Sequence, residues 1–97
     1  MERKGTAGSV VQQFKPAVIM TEMDMTAQTQ AIDIAIDALR KHTTEKKIAA
    51  EIKRAFDRKY GGKWHCIVGR EFGCYLDHGD NCFIYFFVGK FAIALWR

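Results

Sequence analysis

Ninety-seven residues, 48% of them hydrophobic, suffice for one domain with its own core, although so short a chain buries a modest share of its surface. A single proline, Pro16, argues against a disordered or linker-rich chain beyond the first dozen residues. The net charge of +4 is concentrated between Glu45 and Lys63, where Lys46, Lys47, Lys53, Arg54, Arg58, Lys59 and Lys63 face only Glu45, Glu51 and Asp57.

Residues 1–14 are polar and small and read as a flexible arm; residues 15–97 read as the folded domain. MERKGTAGS contains no apolar signal segment and no glycine at position two, so neither export nor myristoylation is expected. KPAVIM (15–20) is a short apolar strand, with Pro16 where an edge strand tolerates it. From Asp24 to about His42 the apolar residues recur at helical steps: Ile32, Ile36 and Leu39, with Met25, Ala31, Ala35 and Ala38 beside them. Asp24 is the expected N-cap. A second helix runs from Glu45 to Tyr60 with Ile48, Ile52, Ala55, Phe56 and Tyr60 on its apolar face. Thr44 caps its start, Glu45 suits the positive end of its dipole, and Gly61-Gly62 ends it. The link of two or three residues predicts a helical hairpin. The interleaved acids favour a solvated basic face with ion pairs such as Lys47–Glu51 and Lys53–Asp57.

Beyond Gly62 the period becomes that of strands, expected at 64–69, 72–77, 82–88 and 91–96. Gly89-Lys90 reads as a two-residue hairpin turn. The longest apolar stretch, CFIYFFVGKFAIALW, is broken by Gly89 and Lys90 and falls short of the roughly 20 residues that span a bilayer. Alternation puts Ile84, Phe86 and Val88 on one face and Phe83, Tyr85 and Phe87 on the other, yet both faces are apolar. Two helices cover one face only. A wet face of an antiparallel sheet carries polar residues, so the second face predicts a cover from outside the chain: a second copy in a symmetric dimer, or a permanent hetero-partner.

Three cysteines, Cys66, Cys74 and Cys82, make an odd number, which fits free thiols in a reducing cytosolic or nuclear compartment. Cys66 and Cys82 alternate with core residues, and their spacing lacks the close ligand pairs of a zinc site. His65 adjoins Cys66 but faces the opposite way, so it cannot serve as that thiol's base. No phosphate loop, carboxylate pair or nucleophile elbow is present, so neither an enzyme nor a cofactor or metal is expected. REFGCYLDHG (70–79) is richer in polar groups and reads as an edge strand, open to an added strand above the aromatic floor of Phe83, Tyr85 and Phe87.

KKIAAEIKRAFDRKYGGKWHCIVGR, followed by FG and then HGDNCFIYFFVG, resembles the eight-kilodalton class of dynein light chains over residues 15–97. The resemblance implies an α+β fold: a short N-terminal strand, a two-helix hairpin, then an antiparallel four-stranded sheet in a strand-exchanged homodimer. It implies a cytoplasmic, cytoskeletal adaptor without catalysis, in motor complexes or, in some members, the axoneme. Its partners would be the dynein intermediate chain and other proteins with Thr-Gln-Thr-like motifs, bound as added strands in two grooves. By match to the family's motifs the peptide-pairing strand is Glu71, Phe72, Gly73, Cys74, Tyr75, Leu76 and Asp77, followed by His78. The floor comprises Phe83, Tyr85, Phe87, Ala92 and Ala94, with Glu45 and Lys46 supplied by the other subunit. His65, Phe72 and Tyr75 would lie at the dimer interface, where protonation of His65 would favour monomers.

This chain departs from the family's pattern at several positions. Asp77 stands for a usual threonine, Cys74 for serine, Phe87 for tyrosine and Ala94 for leucine; Asn81-Cys82 replaces a more basic pair; and the short serine-bearing tail of relatives is not expected after Arg97. A carboxylate only accepts hydrogen bonds, so Asp77 predicts weaker binding of Thr-Gln-Thr peptides and tolerance of a basic residue opposite it. TAQTQ (26–30) resembles the ligand core but falls on an expected helix. The alternative to the adaptor is a basic nucleic-acid-associated module using residues 46–63, distinguished by steep salt dependence. Neither reading involves a membrane.

Overall fold

Two short polar side chains start the two helices. Asp24 Oδ1 accepts from the Ala27 N–H at 2.8 Å and opens α1 (Met25–Lys41). Thr44 Oγ1 accepts from the Lys47 N–H at 3.4 Å and opens α2 (Glu45–Tyr60). Each satisfies a donor that the first helical turn leaves unpaired. The computed structural model describes residues 15–70, 79 and 81–97. Its remaining elements are β1 (Pro16–Thr21), β2 (His65–Gly69), β3 (Phe83–Val88) and β4 (Phe91–Trp96). The strand expected at 72–77 lies outside the described residues.

The buried line of α1 consists of Ala31, Ala35 and Ala38. The larger Ile32, Ile36 and Leu39 flank it, half-buried against the core. Small side chains at the centre of the contact bring the α1 backbone close to α2, and the bulky ones fill the margins. Met25, expected on the apolar face, is 73% exposed because the first residue of the helix projects past that contact. In α2 the buried line is Ile48, Ile52 and Phe56 at four-residue steps.

The expected ion pair Lys53–Asp57 is formed. The expected Lys47–Glu51 pair is not, because the tight link between the helices folds the end of α1 onto Glu51 instead. His42 Nε2 donates to Glu51 Oε1 at 2.6 Å and Lys41 Nζ donates to Oε2 at 3.3 Å. The His42 hydrogen bond, helped by Lys41, holds the Glu51 carboxyl below its usual range against the opposing effect of desolvation.

Helix α2 ends at Gly61, with φ 75° and ψ 170°. That region belongs essentially to glycine. The Gly61 carbonyl accepts from Trp64 Nε1 at 2.9 Å and from Arg97 Nη1 at 3.0 Å, and the Arg97 guanidinium lies 5.4 Å from the centre of the Trp64 ring. Trp64 is buried edge-on against Phe56, with ring centres 4.9 Å apart. One carbonyl thus gathers the end of α2, the approach to β2 and the residue after β4. Trp64, expected inside the strand, stays outside it because its N–H turns to Asp57 Oδ1 at 2.7 Å. Cys82 likewise precedes β3, its N–H closing a turn on the Gly79 carbonyl at 3.2 Å.

The four strands form one antiparallel sheet in the order β1-β3-β4-β2. Gly89, at φ 59°, supplies the positive dihedral of the two-residue turn joining β3 to β4. Ile84, Phe86, Val88, Ile93, Leu95 and Val68 face the helices and make the main core with them; Cys66 and Cys82 pack at its margin. Among the described residues no helix is long and apolar enough to cross a membrane.

Candidate functional site

Register carries the second face of the sheet from strand to strand. Tyr85 pairs with Ala94, Phe87 with Ala92 and Phe83 with Trp96. On the other side of β4, Ile67 pairs with Ala94 and His65 with Trp96. The five residues expected to floor a groove, Phe83, Tyr85, Phe87, Ala92 and Ala94, are therefore brought together on one face, away from the helices.

The pattern of apolar residues predicts that this face is covered from outside the chain, by a second copy or a permanent partner. Phe83, Tyr85, Ala92 and Ala94 are already buried in the single chain. Aromatic rings of β3 stand beside the alanines of β4, and the Tyr85 and Phe87 rings meet edge to face at 5.8 Å. What stays open lies at the two sides: Ile67 on β2 is 46% exposed and Met20 on β1 is 54% exposed.

Among the described strands, β2 lies at one end of the sheet, so one row of its backbone groups faces outward. Beside it runs a cleft of about 450 Å³. One wall is α2, through Lys46, Ala49, Ala50 and Lys53; the other is Trp64, His65, Cys66, Ile67 and Trp96. The Ala49-Ala50 pair opens the cleft by withholding bulk where helix and strand would otherwise touch. The exposed His65 ring lies 5.5 Å from that of Trp96. Lys53 is engaged with Asp57, whose carboxyl is held below its usual range first by that lysine and then by the Trp64 N–H. Burial pushes the Cys66 thiol far up, which leaves it a poor nucleophile inside the cleft.

Of the residues named from sequence, Lys46 and His65 come together across this cleft. Glu45 sits exposed in the first turn of α2. Glu71, Phe72, Gly73, Cys74, Tyr75, Leu76, Asp77 and His78 lie outside the described residues. Sequence reasoning missed Ala49, Ala50, Lys53, Ile67 and Trp96 as cleft residues. Ile67 carried a signal, because an isoleucine that shares a strand face with a histidine is poorly placed for a monomer's core.

The family description "Dynein light chain type 1" matches residues 15–97. Three solved structures are similar in fold. Two are of the dynein light chain-like domain of the Fasciola hepatica calcium binding protein FhCaBP2. The mercury derivative is 24% identical, with a TM-score of 0.72, covering 84% of this chain and 90% of that one. The native form is 25% identical, with a TM-score of 0.67, covering 87% and 91%. The third is the DLC-like domain of CsTAL3, at 19% identity and a TM-score of 0.71, covering 84% and 90%. The chain belongs to the dynein light chain family, and its short first strand, two helices and four-stranded antiparallel sheet are that family's fold.

Proposed function

We propose that this protein is a non-catalytic homodimeric adaptor that holds extended segments of partner proteins as added β-strands. Its setting is cytoplasmic and cytoskeletal, as a light chain of dynein motors or as a dimerising hub. The observation that carries the reading is the outward edge of β2 beside the α2 cleft, with Ile67 exposed at its lip, in a chain of this family. A strand laid along that edge satisfies backbone donors and acceptors, and the cleft takes its alternate side chains. In the dimer that strand is residues 71–77 of the second copy, and the partner's peptide adds beyond it. Lys46 and Glu45, at the start of α2, border the bound peptide; the free N–H groups there donate to a glutamine side-chain oxygen.

Calorimetric titration of a Thr-Gln-Thr peptide, with sedimentation of the same sample, tests the reading. A dimer saturating at one peptide per chain supports it; a folded monomer that gives no heat with Thr-Gln-Thr or basic-core peptides overturns it. Asp77→Thr strengthens binding of the Thr-Gln-Thr peptide and weakens that of a peptide with lysine opposite position 77. Equal affinities in wild type and variant would remove Asp77 from the specificity argument.

A further inference from the structure

The cations of α2 divide into two groups once their partners are identified. Lys53 is held by Asp57. Glu51 is taken by His42 and Lys41, and Asp37 by Lys41 at 3.1 Å. The acids interleaved through the basic segment are thereby occupied. Among the described residues Lys46, Lys47, Arg54, Arg58 and Lys59 form no ion pair, and all five are exposed. Lys47, Arg54 and Arg58, seven and then four residues apart, line up along the solvent side of α2 over about 16 Å.

Arg58, at the end of this row, borders an open groove of about 480 Å³ between α1 and α2, while Lys47 and Arg54 stand outside its lining. The groove is lined mostly by polar groups, with half-buried Ile34 and Ala55 as its small apolar part, and Arg58 and Lys59 among its charged residues. Asp33 and Glu45 also carry no ion pair among the described residues, but neither lines the groove. We infer that the outer face of the helical hairpin is a second docking surface, which takes an acidic, amphipathic segment of a partner protein. Aliphatic side chains of that segment rest on Ile34 and Ala55, and its carboxylates reach Lys47, Arg54, Arg58 and Lys59.

Charge complementarity and composition favour a protein segment over nucleic acid. Asp37 and Glu51 line the same groove and would repel closely spaced phosphates, whereas a peptide can leave uncharged residues opposite them. Among the described residues no aromatic side chain lines the groove for bases to stack on. The surface shares no lining residue with the β2 cleft.

The test is fluorescence anisotropy with the full chain and a labelled glutamate-rich helical peptide of about 16 residues carrying leucines on one face. Binding should saturate and weaken from about 50 to 200 mM salt. Arg54→Glu with Arg58→Glu should lower affinity by about tenfold or more, and the neutral pair Arg54→Gln with Arg58→Gln by less. Lys63→Glu with Lys90→Glu, away from the row, should change it little. Equal affinity in wild type and the Arg54/Arg58 variants, or no binding at low salt, overturns the inference. So does a DNA duplex that displaces the peptide at lower concentration than unlabelled peptide does, which would make the row a phosphate contact.

Discussion

Glu51 and Asp57 show how two acids in a basic segment can serve the fold instead of neutralising their nearest cations. Glu51 ties the end of α1 to α2 through His42 and Lys41; Asp57 ties α2 to the approach of β2 through Lys53 and the Trp64 N–H. Both carboxyls ionise more readily in the folded chain, so the unfolded chain binds more protons in acid. Their contribution is complete above about pH 5 and is lost as pH falls through the lowered folded values. Thermal melts from neutral to acid pH should therefore show a decline that is flatter in the Glu51→Gln, Asp57→Asn double variant. Gly61 is a different kind of constraint. A Cβ there would meet nothing within 4 Å, yet its dihedrals exclude other residues. Gly61→Ala should cost about 1–3 kcal/mol in denaturant titration, all of it from the backbone.

The helices were readable because their boundaries are chemical. Asp24, Thr44 and Gly61 mark where hydrogen bonding must change, and the helices start and stop at those residues. Asp24→Ala should cost about 1 kcal/mol and Thr44→Ala less, since the Asp24 cap is 2.8 Å long and the Thr44 cap 3.4 Å. Urea unfolding of the two variants checks the order. Which side chains a helix buries was harder to read. Periodicity highlights Ile32, Ile36 and Leu39, but the centre of the contact went to the alanines, because interhelical distance is set by the smallest residues at the crossing. The same limit hid the cleft: Ala49 and Ala50 matter through the space they leave, and a sequence shows residues, not gaps. The ion pairs failed at Lys47 for a related reason, since spacing within one helix does not disclose a competitor such as His42 on another.

At the level of the molecule, the apolar alternation on β3 and β4 announced a two-faced sheet, and exposed apolar residues of its second face, Ile67 and Met20, stand at its margins. If the β2 margin is the dimer contact, a fixed charge there should break it. His65 lies in the cleft wall opposite Lys46 and Lys53, with Asp57 also close enough to feel its charge. His65→Lys should sediment as a folded monomer at neutral pH and wild type as a dimer; an unchanged dimer would place the contact elsewhere. The order of strands has a further bearing, on how the molecule is made. β1 pairs only with β3, and β2 only with β4, so neither early strand has a neighbour among the described elements until the last fifteen or so residues are available. During synthesis the helical hairpin can close first, while β1 and β2 wait. Sheet formation then becomes a late event that waits for β3 and β4 to be made, and the nascent chain passes through a stage in which its helices are formed and its early strands are still unpaired.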